Sequence, residues 1–198
     1  MEIIEALQQK GTPFLIPGST RESLPKFFKD QGYTVGAEIG VYKAGFTEKF
    51  CKQGIKMFGI DPYHSYNGAG RVAKDQDRQE FLYAHAQRVL KPYTDCTIIR
   101  KASMDAVHDF KDRSLDFVYI DGDHSFKHVA QDVYEWVYKV RKGGIISGHD
   151  YRPNRDGVEK QIRHVGKVID AYTCAFQIDN WYEIGDQDHA SSWFWIVE

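Results

Sequence analysis

The chain has 198 residues, enough to bury a sizeable core without disulfides or a structural metal, and suited to a single domain spanning 1–198. With 26 Lys and Arg against 28 Asp and Glu, the net charge is -2, which excludes a general electrostatic pull toward nucleic acid or anionic membrane. Cys51, Cys96 and Cys174 are odd in number and form no C-x-x-C pair, which argues against a disulfide framework or zinc knuckle and reads as three buried thiols in a reducing, cytoplasmic compartment.

The opening residues, MEIIEALQQK, lack the basic flank and long apolar core of a signal peptide, and no run of about 18 apolar residues follows. Residues 1–32 read as one or two helices. Ser23 is a candidate N-cap ahead of Leu24, because Pro25 is tolerated only in a first helical turn. Short β-branched runs then mark strands at 34–41, 56–60, 96–100, 115–120 and 144–147, with helix-spaced segments between them. The polar, glycine-containing stretch 64–78 reads as a loop at the catalytic edge. Val129, Val133, Trp136, Val137 and Val140 form one apolar helical stripe, with Gln131, Asp132, Glu135 and Lys139 mostly on the other faces and Gly143-Gly144 as the stop. Segments 174–178 and 193–197 read as a closing antiparallel strand pair. The alternation of its aromatic residues fits core packing better than base stacking, since no basic cluster accompanies it.

Alternating strands and helices of this length imply an open α/β sandwich with parallel strands and right-handed crossovers. Ligands of such sheets bind at the carboxyl ends of the strands, so the strand-to-helix corners carry the functional reading. The first corner, GAEIGVYKAGFT, holds Glu38 and Gly40 before Ala44-Gly45. It is not G-x-G-x-x-G, so the dinucleotide fingerprint fails. The second strand ends at Asp61, placed to bond ribose hydroxyls or simply to open the Asp61-Pro62 turn. Ser103, after the third, either caps a helix or touches a base. The fourth and fifth corners read VYIDGDHSF and GGIISGHDY. Each ends in carboxylate plus histidine, and adjacent strands would bring these tips together; two carboxylates and a histidine converging in one cleft can hold a hard cation or move a proton.

This succession of corners resembles the class I S-adenosylmethionine-dependent methyltransferases over residues 33–151. It is most similar to their small-molecule O-methyltransferase branch, which includes catechol-type, macrocin-type and cephalosporin-hydroxylase-like proteins. The resemblance implies a Rossmann-like seven-stranded sheet of order 3-2-1-4-5-7-6, strand seven antiparallel, in a three-layer αβα sandwich, with 152–198 as a C-terminal helix and strand pair. It implies S-adenosylmethionine contacts at Glu38, Gly40 and Tyr42, ribose at Asp61, adenine at Ser103 and Met104, and the cofactor's amino-acid end at Asp121. Two departures stand out: Ala44 replaces the second glycine of the family's turn, and His149-Asp150 replaces a hard-oxygen pair. Asp121, His149 and Asp150 are then the candidate ligands of a divalent cation, Mg or Mn, although an imidazole weakens preference for Mg²⁺.

Methyl transfer needs an acceptor positioned in line and deprotonated. His149 is the first candidate base and His124 the second, with Asp121 beside them; Asp123 reads as the N-cap of the following helix. The expected partner is a small-molecule methyl acceptor, with a homodimer as the assembly to consider and neither nucleic acid nor membrane. The rival readings are a non-catalytic scaffold that kept the sheet and a nicotinamide oxidoreductase.

Overall fold

The computed structural model describes residues 2–65, 75–152 and 164–198. Its sheet has eight strands: β1 (Gly11–Leu15), β2 (Val35–Ile39), β3 (Lys56–Ile60), β4 (Cys96–Ile99), β5 (Leu115–Ile120), β6 (Val140–Gly148), β7 (Asn180–Ile184) and β8 (Ser192–Ile196). The helices are α1 (Ile3–Ala6), α2 (Leu24–Asp30), α3 (Gly45–Lys52), α4 (Gln76–Leu90), α5 (Ser103–Ala106), α6 (Phe126–Trp136) and α7 (Val165–Ala175). β5 is buried along its whole length because both faces are covered, as its run of apolar residues, broken only by Asp116 near its start, requires. Phe117 and Tyr119 turn toward α2, α3 and α4, while Val118 and Ile120 turn toward α6 and α7.

The strand order is β1-β7-β8-β6-β5-β2-β3-β4, with β8 antiparallel to both neighbours. Numbered from β2, this is the expected 3-2-1-4-5-7-6 arrangement with one further strand at its edge. That strand, β1, pairs parallel with β7 and lies in the segment read as helical. Its five residues, GTPFL, carry a glycine and a proline, which weaken a strand signal and are tolerated at a sheet edge.

Several local readings are corrected. The strand expected at 174–178 is the end of α7, where Gln177 turns left-handed at φ 54° and Ile178 N–H closes on the Thr173 carbonyl; the strand itself is β7. A mostly apolar five-residue segment such as CAFQI has no period that separates strand from helix end. α6 ends at Trp136; Val137, in the 3-10 turn that follows, packs against the same layer as Val129, Val133 and Trp136, while Val140 belongs to β6. Gly144 lies inside that strand, where a Cβ would sit 2.3 Å from the Asp116 carbonyl oxygen, so close strand packing rather than helix termination requires it. Asp132, read as facing away, is buried. Pro25 lies in the first turn of α2 and Ser23 takes the N-cap position ahead of Leu24, but its side chain makes no capping bond: the Ser23 hydroxyl donates to the Thr20 carbonyl, and the Thr20 hydroxyl accepts from Glu22 N–H. Cys51 is buried, Cys96 partly so, and Cys174 is exposed on the outer side of α7. Of the expected loop 64–78, residues 66–74 lie outside the described residues. No described helix is long and apolar enough to cross a membrane.

Register positions the site. Ile39 pairs with Ile60 on one side and Ile120 on the other, and Ile120 pairs with Gly148. Four parallel strands therefore end level, and the next residues (Gly40, Asp61, Asp121 and His149) emerge side by side.

Candidate active site

At the tip of β2, Glu38 is buried and its Oε2 accepts from the Thr47 hydroxyl on α3. Burial pushes its carboxyl up to about 8 against the opposing hydrogen bond, so it is largely protonated at neutral pH. Gly40 follows at φ 91°, and a Cβ there would lie 2.2 Å from the Asp121 carbonyl oxygen. Only glycine lets the turns after β2 and β5 approach this closely.

Asp61 organises that turn. Its Oδ2 accepts from the N–H groups of Val41 and Tyr42 at 3.1 and 3.0 Å, and Oδ1 accepts from Tyr63 N–H at 2.9 Å. Burial raises its pKa while these hydrogen bonds oppose the rise. Tyr42, Ala44 and Tyr63 around it all adopt left-handed backbone, at φ 51, 63 and 44°. Such conformations cluster where a surrounding structure over-determines them, frequently at functional sites. Ala44 thus reproduces with a fully buried methyl the backbone form a glycine would take there.

Ser103 is the first residue of α5 and not its cap. Its hydroxyl donates to Asp132 Oδ1 at 2.5 Å and accepts from Trp136 Nε1 at 2.7 Å, so it is tied into α6. Asp132, pushed up to about 6 by burial, is a buried acid that sequence reasoning missed, because helical spacing alone put it on the polar side. Met104 is partly buried against the same packing layer.

The tips of β5 and β6 do converge. His124 Nε2 stands 3.0 Å from Asp150 Oδ2 and 3.6 Å from Asp121 Oδ1; His149 Nδ1 stands 3.4 and 3.8 Å from the same two oxygens. Asp150, at φ 57°, is buried, and the His149 side chain is only 15% exposed. One oxygen from each carboxylate and one His124 nitrogen lie within 4.8 Å of one another, a donor set that could hold a cation. His124 therefore joins the two acids in this grouping, where His149 was expected. Asp123 does not sit at the N-cap of α6, a position taken by Ser125; its Oδ1 accepts from Ser125 N–H at 2.8 Å. It fixes the turn rather than facing the cleft acids.

Sequence reasoning also missed Arg21, from the turn between β1 and α2. Its Nη1 lies 3.4 Å from Asp121 Oδ2, and its guanidinium covers the Phe46 ring at 5.0 Å. No motif marks it, since only the folded chain brings residue 21 beside residue 121.

Residues 35–151 match the sequence profile of a family described as "Methyltransferase domain". Among solved structures, the chain resembles an O-methyltransferase from Bacillus cereus in complex with SAH, at 13% identity and TM-score 0.64 over 89% of this chain and 80% of that one. It similarly resembles the O-methyltransferase TomG from Streptomyces achromogenes, involved in tomaymycin synthesis and in complex with SAM, at 9% identity and TM-score 0.63 over 89% and 78%. At such identities the likeness is one of fold. One curated relative, the uncharacterized protein y4gI of Sinorhizobium fredii, is 24% identical over 102 residues, 52% of this chain; the match spans only 11% of that protein's length.

Proposed function

Because the chain belongs to the methyltransferase-domain family, we propose that it transfers a methyl group from S-adenosylmethionine to a hydroxyl of a small molecule. The observation that carries this reading is the level ending of β2, β3, β5 and β6. It lines up Glu38, Gly40 and Asp61 on one side of Asp121, with His149, Asp150 and His124 on the other. The solved structures of similar fold that hold SAM or SAH, the O-methyltransferases among them, support the same assignment.

The residues fit the cofactor. A carboxylate offers about four lone-pair positions, so Asp61 keeps acceptor capacity for ribose hydroxyls beyond its three backbone partners. Gly45, at the start of α3, has no atom within 4 Å of where a Cβ would stand, so the turn opens onto free space. Glu38, Gly40 and Tyr42 line the methionine and ribose end, and Ser103 with Met104 borders the adenine through α5. When bound, the cofactor supplies a sulfonium-activated methyl group. His149 presents Nδ1 to Asp150 and Asp121, which leaves Nε2 to take the acceptor's hydroxyl proton while the carboxylates stabilise the resulting imidazolium. Asp121, His124 and Asp150 are the ligands we assign to a divalent cation, whose contribution is to lower the pKa of a bound hydroxyl.

Calorimetry with S-adenosylmethionine and S-adenosylhomocysteine, in EDTA and then with Mg²⁺ or Mn²⁺, tests the reading. We expect binding of both ligands, severe weakening by Asp61→Ala, and a separate metal signal abolished by Asp150→Asn. Absence of cofactor binding under every condition sinks the proposal; binding without a metal signal removes only the cation.

A further inference from the structure

The carboxylate of Asp121 divides the cleft. Its Oδ1 faces the imidazoles of His124 and His149, at 3.6 and 3.8 Å. Its Oδ2 faces the Arg21 guanidinium at 3.4 Å. Arg21 lies outside residues 35–151, the part that carries the family match, yet its position is built with care. Its backbone N–H donates to Asp188 Oδ2 at 2.7 Å, and Gly18 N–H donates to Asp186 Oδ2 at 3.0 Å. Both acids belong to the connection between β7 and β8. The side chain then crosses the Phe46 ring and reaches Asp121 and the Tyr119 hydroxyl.

Two features suggest that this is more than a structural ion pair. The contact to Asp121 is long and single-pronged, where a structural Arg–carboxylate pair is typically short and two-pronged. A guanidinium also carries five N–H donors in a fixed fork, more than these partners use. An ammonium-and-carboxylate ligand has the charge pattern that matches a carboxylate and a guanidinium side by side.

Resting on the cofactor reading above, we propose that Arg21 is the receptor for the α-carboxylate of the cofactor's amino-acid end, while Asp121 Oδ2 takes its ammonium. The N-terminal segment would thereby complete a site whose other parts lie in the family core. It would also confine the amino-acid end to the Arg21 side of Asp121, leaving the His124 and His149 side for the acceptor.

The test compares S-adenosylmethionine with decarboxylated S-adenosylmethionine, which keeps the ammonium and lacks the carboxylate. Binding of each to the full chain is measured by calorimetry for wild type, Arg21→Gln and Arg21→Lys, with cooperative melting as the check on folding. Hydrogen bonds to charged groups are worth enough to predict a roughly 10- to 100-fold loss of S-adenosylmethionine affinity in Arg21→Gln. Affinity for the decarboxylated ligand should change by less than about threefold, and Arg21→Lys should recover part of the loss because it keeps the charge without the fork. Equal losses for both ligands, or no loss for either, overturn the assignment; so does a wild type that binds both ligands equally, though that result leaves the cofactor reading standing. Should Arg21→Gln fail to melt cooperatively, the ratio of the two affinities in Arg21→Lys decides alone. A wild type that binds neither ligand removes the cofactor reading, and this inference with it.

Discussion

Glu38→Gln isolates the electrostatic cost of the buried acid at the heart of the site. Glu38 is 2% exposed, and burial lifts its carboxyl from 4.5 to about 8, helped by the nearby charges of Asp121 and Asp61 and opposed by Thr47 and Arg21. A folded state that keeps a proton the unfolded chain releases loses stability as pH rises between those two values. Each pH unit in that window costs about 1.4 kcal/mol. Glutamine has nearly the same shape and can still accept from the Thr47 hydroxyl, but it does not titrate. Subtracting its stability from that of wild type cancels every other ionisable group. Urea unfolding at pH 5.5, 6.5 and 7.5, followed by tryptophan fluorescence, should show the balance moving toward the glutamine variant by on the order of 3 kcal/mol across the series. A difference that stays flat within about 0.5 kcal/mol, or moves the other way, refutes the claim that Glu38 is protonated in the folded protein.

Three other outcomes follow from the same structure. Gly40→Ala combines a left-handed φ with a Cβ 2.2 Å from a backbone oxygen, so it should cost about 3 kcal/mol in urea unfolding and weaken S-adenosylhomocysteine binding by displacing Asp121; full retention of both would contradict the close approach. Asp116 accepts from Thr34 N–H, the Thr34 hydroxyl, Val35 N–H and Arg141 Nε. Burial opposes its charge, but these bonds outweigh that and hold its carboxyl below the usual range. Its contribution is therefore present above the ordinary Asp pKa and lost as pH falls below it; Asp116→Ala should lose about 3 kcal/mol at pH 7 and progressively less in acid, by chemical denaturation. Finally, an aromatic disulfide reagent should modify the exposed Cys174 rapidly in the native protein and spare the buried Cys51 until unfolding; peptide mapping of the labelled protein reads this directly.

The central strands were legible because each is a mostly apolar run of strand length ending in a polar corner, and parallel pairing follows from the helices between them. The edges were not. β1 holds Gly11 and Pro13 within five residues, and β7 follows the apolar end of α7 so closely that 174–178 imitates a strand. Asp132 was misread for a related reason: helical spacing assigns faces relative to a sheet, but a neighbour such as α5 can bury a polar face as well.

For this protein, sequence alone determined the chemistry available at each strand end: Glu38 and Gly40, Asp61, then Asp121 with His124, and His149 with Asp150. These follow from local order, because a strand delivers its next residue to the cleft whatever surrounds it. Only the tertiary structure decided which of these groups meet, and on which side. The level register of β2, β3, β5 and β6 makes one site of four corners, and the acids after β7 draw Arg21 across to Asp121. Contacts between residues 100 positions apart leave no periodic trace in a sequence, since they depend on how elements pack rather than on how any element forms.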